Sequence, residues 1–155
     1  MRLVEMFQAL EWLELAMASL YERLAASHRD DAEASRLFTR LALEEHGHAR
    51  EVVLQRKLTM QIPRVPLEVP VDHLALLQMR EEVAAAATGR EKLPLSEVLT
   101  LAARLEATAA ERHLSTMLSE VDPEIARFVS GLGRGDNDHL ERLRALASTR
   151  CISLL

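Results

Sequence analysis

A glutamate and a histidine three residues apart, Glu45 and His48, fall on the predicted buried face of an α-helix. Apolar residues recur around them in alternating steps of three and four, which is the spacing of a helix packed against others. Both side chains should therefore point into the protein. Buried acidic and imidazole groups are costly unless they are paired, hydrogen-bonded or bound to a metal ion. The pair thus requires a helical fold whose interior supplies such partners.

A second pair with the same spacing, Asp136 and His139, occurs near the C-terminal end of the sequence. One carboxylate and one imidazole a turn apart on a rigid helix can hold one metal ion, although chance produces the same spacing in charged helices. Two such pairs at equivalent core positions call for a common explanation. The predicted buried face that carries the second pair consists of Ile125, Val129, Leu132, Asp136, His139, Leu143 and Leu146.

Two bare glutamates accompany these pairs. Glu14 lies between Phe7 and Tyr21 on a widened apolar face, at steps of seven residues. Glu106 shares the apolar face of a later helix and is followed seven residues on by His113. Taken alone, Glu14 could lie at the edge of its face and reach water along its stem, and Tyr21 could be a core residue with a satisfied hydroxyl.

An internal repeat joins the four features, because equivalent residues in the two halves are 91 or 92 positions apart (14 to 106, 45 to 136 and 48 to 139). A dinuclear carboxylate site in a helical bundle takes its ligands from four helices. Two of the helices each supply one carboxylate, and the other two each supply a carboxylate-x-x-His pair. The pattern therefore predicts two metal ions per chain, with the paired carboxylates able to bridge them. One ion would be bound by Glu14, Glu45 and His48, and the other by Glu106, Asp136 and His139.

The composition agrees with a helical protein. The 155 residues are rich in Ala, Leu, Glu and Arg, with 48% hydrophobic but only 3% aromatic residues, so we predict one all-α domain over residues 1–155. The periodicity predicts four long helices, over about 3–26, 31–60 and 94–121 and from 123 onward. Three prolines within 61–71 predict an extended crossover between the second and third helices, followed by a short helix over about 72–88.

Charge and cysteine content exclude several classes of function. A net charge of −5 and the lack of a basic stripe argue against a nucleic-acid or anionic-membrane partner. Neither a signal peptide nor a membrane-spanning stretch is predicted, so we expect a cytoplasmic protein. The single cysteine, Cys151, allows no intramolecular disulfide and no multi-cysteine zinc, rubredoxin-type or iron-sulfur centre.

Three segments, Glu14-x6-Tyr21, Leu-Ala-x-x-Glu45-x-x-His48-Ala and Asp-x-x-His139-Leu, resemble the rubrerythrin branch of the ferritin-like superfamily. The resemblance covers about residues 3 to 148. It implies a four-helix bundle with a long crossover between helices two and three, a di-iron centre that reacts with hydrogen peroxide or dioxygen, and a homodimer.

The chain departs from the rubrerythrin pattern at three positions. Asp136 replaces the usual glutamate and reaches one methylene less far, and Ala109 stands where rubrerythrins tend to carry another glutamate. His113 replaces an expected tyrosine, as an additional ligand or as a neighbour of the ligands.

The ligand set suits Fe(II), Mn(II) or Zn(II), with iron implied by the resemblance. Tyr21 would act as a redox group or hydrogen-bond partner, and an external electron donor would be needed for turnover. Three functions stay open: a di-iron peroxidase or oxidase, an iron-binding or ferroxidase protein without multiple turnovers, and a structural bundle with a degenerate site.

Overall fold

A computed structural model of the chain describes residues 2–61, 68, 73–88, 92–108 and 123–154. Within the helices, the side chains of residues 73, 75, 76, 124–126, 128–133, 135 and 136 are not part of this description. The described part is helical and contains no strand, so the predicted all-α class is confirmed. The four-helix-bundle topology stays a prediction, because most of the 61–71 crossover and the segment 109–122 lie outside the described residues. The helices are α1 (Leu3–Ser27), α2 (Ala32–Thr59), α3 (His73–Thr88), α4 (Leu95–Ala107) and α5 (Pro123–Thr149).

Helix α1 is amphipathic over its whole length and contributes the largest buried stripe of the described core. Its inward positions recur every three or four residues, as the sequence predicts, and each is at most 5% exposed. Burial of each large apolar side chain in this stripe stabilises the fold by about 1.5–3 kcal/mol, so the stripe anchors the neighbouring helices. The stripe comprises Leu3, Met6, Phe7, Leu10, Leu13, Glu14, Met17, Leu20, Tyr21 and Leu24.

Helices α1 and α2 form an antiparallel pair joined by a short turn. Asp31 caps α2, because its carboxylate accepts hydrogen bonds from the backbone N–H groups of Glu33 and Ala34 at 3.2 and 3.1 Å. The Ser35 hydroxyl donates to the carbonyl of Ala25 at 3.0 Å and joins the two helices next to the turn. The tight connection fixes the rotation of α2, so its seam faces the stripe of α1.

Helix α5 runs antiparallel to α2. The Arg150 guanidinium, just beyond the end of α5, contacts Asp31 at 2.9 Å and Glu33 at 3.0 Å at the start of α2. Near the middle of both helices, His139 of α5 lies 3.0 Å from Glu45 of α2. These contacts set the offset between the helices, and they bring the two halves of the sequence repeat into one interior.

Helices α3 and α4 complete the described core. Helix α3 lies along α1, where the Arg80 guanidinium sits 5.0 Å from the centre of the Trp12 ring. Helix α4 packs against α5 and places Leu99, Leu105 and Glu106 in the interior. Among the described helices, none combines the length and apolar character that crossing a lipid bilayer requires.

Replacing Leu99 with Ala should lower the free energy of unfolding by about 2–5 kcal/mol, because it leaves a cavity in the fully buried core. Urea denaturation followed by circular dichroism measures the loss. The matched control is Leu43→Ala on α2, where the side chain is 65% exposed and the change should stay within about 0.5 kcal/mol. Equal losses for the two variants would contradict the assignment of the core.

Candidate metal centre

Five of the six ligands predicted from the sequence have described side chains, and the structure brings these five together in the interior. The carboxylates of Glu14, Glu45 and Glu106 are 1–2% exposed, and so is His139 at 1%. The His48 side chain is 16% exposed and lies nearest the solvent. The side chain of Asp136 and the whole of His113 lie outside the described residues, so their predicted roles stay predictions.

One group of potential ligands joins α1 to α2. His48 Nδ1 is hydrogen-bonded to Glu45 Oε2 at 3.1 Å, within the carboxylate-x-x-His pair. The same nitrogen lies 3.4 Å from Glu14 Oε2 on α1. Glu14 therefore does not reach water along its stem but faces the Glu45–His48 pair from the neighbouring helix.

A second group joins α2, α4 and α5. His139 Nδ1 lies 3.0 Å from Glu45 Oε1 and 3.3 Å from Glu106 Oε1. All three residues are at most 2% exposed, so this group is more enclosed than the one at His48. The His48 and His139 rings are stacked, with their centres 5.4 Å apart, so the two groups are adjacent.

Glu45 belongs to both groups, with one carboxylate oxygen directed at each histidine. The potential ligand atoms of each group lie within 4.8 Å of one another. Around a first-row metal ion with bonds of about 2.0–2.2 Å, two opposite ligands are about 4.4 Å apart, so each group could close on one ion with small adjustments. The sequence predicted Glu45 as a ligand that is able to bridge the two ions. The association of Glu45 with Glu106 and His139 comes from the structure.

The geometry at His139 Nδ1 fits a metal ligand better than a hydrogen-bonding group. This nitrogen is buried and has no hydrogen-bond partner in the structure, although two carboxylate oxygens lie within 3.3 Å. Both oxygens are off the direction that a ring N–H would need. A cation between the three atoms would satisfy them all, as buried polar groups require.

Without a metal ion, the buried carboxylates and imidazoles shift one another's pKa values, so that opposite charges stand side by side. Burial opposes a charged His139, but the adjacent Glu106 and Glu45 outweigh burial and raise its pKa to about 10. Burial also opposes ionisation of Glu45, but the neighbouring His139 and His48 side chains outweigh it and lower the pKa of Glu45 to about 2. For Glu106 burial dominates and raises the pKa to about 7. In the metal-free protein at neutral pH, His139 is therefore an imidazolium beside an ionised Glu45.

Tyr21 belongs to the same interior. Its hydroxyl donates a hydrogen bond to Glu106 Oε1 at 2.5 Å, from α1 to α4, and both groups are buried. The ring stacks on Phe38 with the ring centres 6.2 Å apart, which holds the hydroxyl in place. Tyr21 thus lies where the predicted hydrogen-bond partner of the site should lie; a redox role stays a prediction.

Two residues on the outer side of His139 complete the arrangement. His139 Nε2 is 3.0 Å from Glu44 Oε2, and Arg142 Nη1 donates to the same oxygen at 2.6 Å. In the sequence Glu44 flanks the inward-facing Glu45 and His48, which predicts an outward position on the surface or just outside the ligand set. The sequence analysis did not single out Arg142. The spacing could have indicated Arg142, because it follows His139 by three residues and so lies on the same side of α5.

Comparison with protein-family models, with curated proteins and with solved structures gave no match to this chain. The resemblance to rubrerythrins therefore rests on the residue pattern alone. The geometry of the buried carboxylates and imidazoles is independent of that resemblance, and it is the stronger basis for a functional conclusion.

Metal binding should release protons, because His139 Nδ1 must lose its proton before it can coordinate. At pH 7 we expect Zn(II) uptake to displace about one proton from His139 and a further fraction from Glu106, with affinity rising by up to roughly tenfold per pH unit for each proton displaced. Calorimetric titrations in buffers of different ionisation enthalpy measure the release. His46→Gln, which alters a surface imidazole paired with Glu22, should leave it unchanged. Heats independent of the buffer would contradict the expectation.

Replacing Tyr21 with Phe should destabilise the metal-free protein more at pH 8 than at pH 5.5. Above the Glu106 pKa of about 7, the lost hydrogen bond is to a buried carboxylate, so we expect about 2–3 kcal/mol at pH 8 and about 1 kcal/mol at pH 5.5. Urea denaturation at the two pH values gives the comparison. The control Ser19→Ala removes an exposed hydroxyl and should show no such dependence. Equal losses for Tyr21→Phe would contradict this role.

Proposed function

We propose that this protein binds a pair of iron ions between α1, α2, α4 and α5 and uses them to reduce hydrogen peroxide or dioxygen. One observation carries the proposal: two buried groups of potential ligands share Glu45 and meet at stacked histidines. A shared carboxylate between two adjacent cation sites is the arrangement of dinuclear carboxylate proteins.

The balance of charge supports two cations over one. When ionised as ligands, the buried Glu14, Glu45 and Glu106 would bring three negative charges into a region from which water is excluded, and Asp136 of the predicted set would bring a fourth. Two divalent ions would neutralise four carboxylates while leaving both histidines as neutral ligands. Mixed oxygen and imidazole donors suit Fe(II), Mn(II) and Zn(II), and the rubrerythrin-like pattern together with the redox chemistry of iron favours Fe(II).

Two ferrous ions bound at this site would supply the two electrons that convert hydrogen peroxide and two protons into two molecules of water. The residues of the chain would hold the ions, admit the oxidant and handle the protons. His48 is the most exposed of the described ligands, so a small oxidant would approach from its side. The Tyr21 hydroxyl donates a hydrogen bond to Glu106 Oε1 and would hold its own proton beside the ions, at the closed end of the site.

A second function, ferrous-iron oxidation or iron handling without multiple turnovers, is favoured by the cysteine content. The single Cys151 gives this sequence no cysteine-ligated centre that could return electrons to the site. Sustained peroxide reduction would therefore need an external electron donor. In its absence the reaction would stop after one oxidation of the bound metal.

The proposal is tested by loading the protein with Fe(II) under anaerobic conditions and following the consumption of hydrogen peroxide. We expect wild type to bind about two iron ions per chain and Glu45→Gln to lose at least about tenfold in rate, since Glu45 serves both groups. The matched control is Glu51→Gln, which alters an exposed glutamate of the same helix. Loss of activity in the control as well would show that the effect is not specific to the site.

Two further outcomes separate the alternatives. If Fe(II) is oxidised rapidly but the reaction ends once the two-ion site has been filled and oxidised once, and an added reductase cannot restart it, the protein would be assigned to iron handling. Well under one metal ion per chain after iron-replete expression, with Glu45→Gln as folded as wild type, would overturn the proposal in favour of a structural helical protein.

A further inference from the structure

We infer that Glu44 is a positioning residue that orients the His139 ring and assigns its Nδ1 atom to the metal, with Arg142 holding Glu44 in place. The inference rests on the proposed function for its metal but draws on separate contacts. Glu44 and Glu45 are consecutive on α2, yet both contact the imidazole of His139 on α5. The ring is thus held between two adjacent glutamates, with one at each nitrogen.

The two nitrogens have different surroundings. His139 Nε2 has a hydrogen-bond partner, Glu44 Oε2 at 3.0 Å, whereas Nδ1 is buried without one between Glu45 and Glu106. A carboxylate can only accept, so a neutral imidazole bonded to Glu44 must carry its hydrogen on Nε2. The lone pair of Nδ1 is then directed at the carboxylates that would share the ion. A carboxylate behind a metal-bound histidine commonly fixes tautomer and ring orientation in this way.

Two arginines keep Glu44 in this role and away from the metal. Arg142 Nη1 donates to Glu44 Oε2 at 2.6 Å, and Arg40 Nε donates to Oε1 at 2.9 Å. Both oxygens are therefore engaged on the outer side of His139. The Glu44 side chain is 29% exposed, at the edge of a site in which the described carboxylates of Glu14, Glu45 and Glu106 are almost fully buried. Its place outside both ligand groups agrees with a residue that acts through His139.

The chain offers a chemically matched control. His46 Nε2 is 2.9 Å from Glu22 Oε1, which is the same type of histidine–glutamate contact between two helices. That pair lies on the surface, with side chains 37% and 60% exposed, and neither residue belongs to a ligand group. Glu22→Ala therefore removes an equivalent contact without touching the site.

The first measurement needs no metal. In the ¹H–¹⁵N NMR spectrum of the metal-free protein, the His139 Nε2–H proton should be shifted downfield and protected from exchange with water. Glu44→Ala should abolish the protection, Glu44→Gln should keep part of it through the amide oxygen, and Glu22→Ala should leave it unchanged. An unprotected Nε2–H in wild type would overturn the inference, whatever the protein does with metal.

The second measurement is the affinity for Zn(II), in variants whose folding is verified by circular dichroism and urea denaturation. Glu44→Ala should weaken binding by about 10- to 100-fold, and Arg142→Met by a smaller factor in the same direction. Glu44→Gln, which preserves the volume and the acceptor, covers the case in which Glu44→Ala does not fold. Glu22→Ala should bind as wild type does.

A double-mutant cycle distinguishes positioning from a general loss of structure. In a His139→Ala background, Glu44→Ala should cost almost nothing further, because its target is gone. In a His48→Ala background, Glu44→Ala should weaken Zn(II) binding by the same factor as it does in the wild-type protein. Equal costs in both backgrounds, or wild-type affinity in Glu44→Ala, would refute the inference while leaving the metal site standing. If wild type bound no Zn(II) but showed the protected Nε2–H, the proposed function would fail and the Glu44 contact would remain.

Discussion

The structure depends on how an apolar helical interior accommodates the described carboxylates of Glu14, Glu45 and Glu106 beside the imidazoles of His48 and His139. Far from water, each of these groups is costly on its own, and each becomes tolerable only when its neighbours carry the opposite charge or share a proton or a cation. Glu45 is the centre of this balance, with Oε2 bonded to His48 at 3.1 Å and Oε1 3.0 Å from His139. The helices must therefore meet at defined rotations, because a small turn of α2 would leave a charge without compensation.

This constraint couples the fold to the site. Helix α1 is held by a long apolar stripe, whereas α5 is joined to α2 by polar contacts at Glu44, Glu45 and, near its end, Arg150. Contacts of this kind are directional, so they fix the offset of two helices more sharply than apolar packing does. Helix α5 also buries Leu143, Leu146 and Ala147 in the apolar core, so apolar packing holds it in the fold while the polar contacts set its position along α2. Metal binding would add to the stability of the fold.

Much of this could be predicted from the sequence. The three-four periodicity identified the buried face of α1, where each of the inward positions is at most 5% exposed. The inward placement of Glu14 and Glu106 followed from the same periodicity, because in a helix the residues that share a face are fixed by their spacing. Contacts between helices were harder to predict. The periodicity predicts that Glu44 faces outward, on the surface or just outside the ligand set, and only the position of α5 shows that it meets His139.

The sequence by itself determined the helical class, the buried face of α1 and the five described acidic and imidazole residues that interrupt the apolar faces, because each of these follows from periodicity within one segment. Only the tertiary structure decided that Glu45 serves both groups, that Glu44 lies behind His139 and that Arg142 holds it. These relations depend on the rotation and offset of α2 against α4 and α5, and many segments far apart in the chain set those quantities together. The periodicity of a single helix contains no information about its offset against another helix.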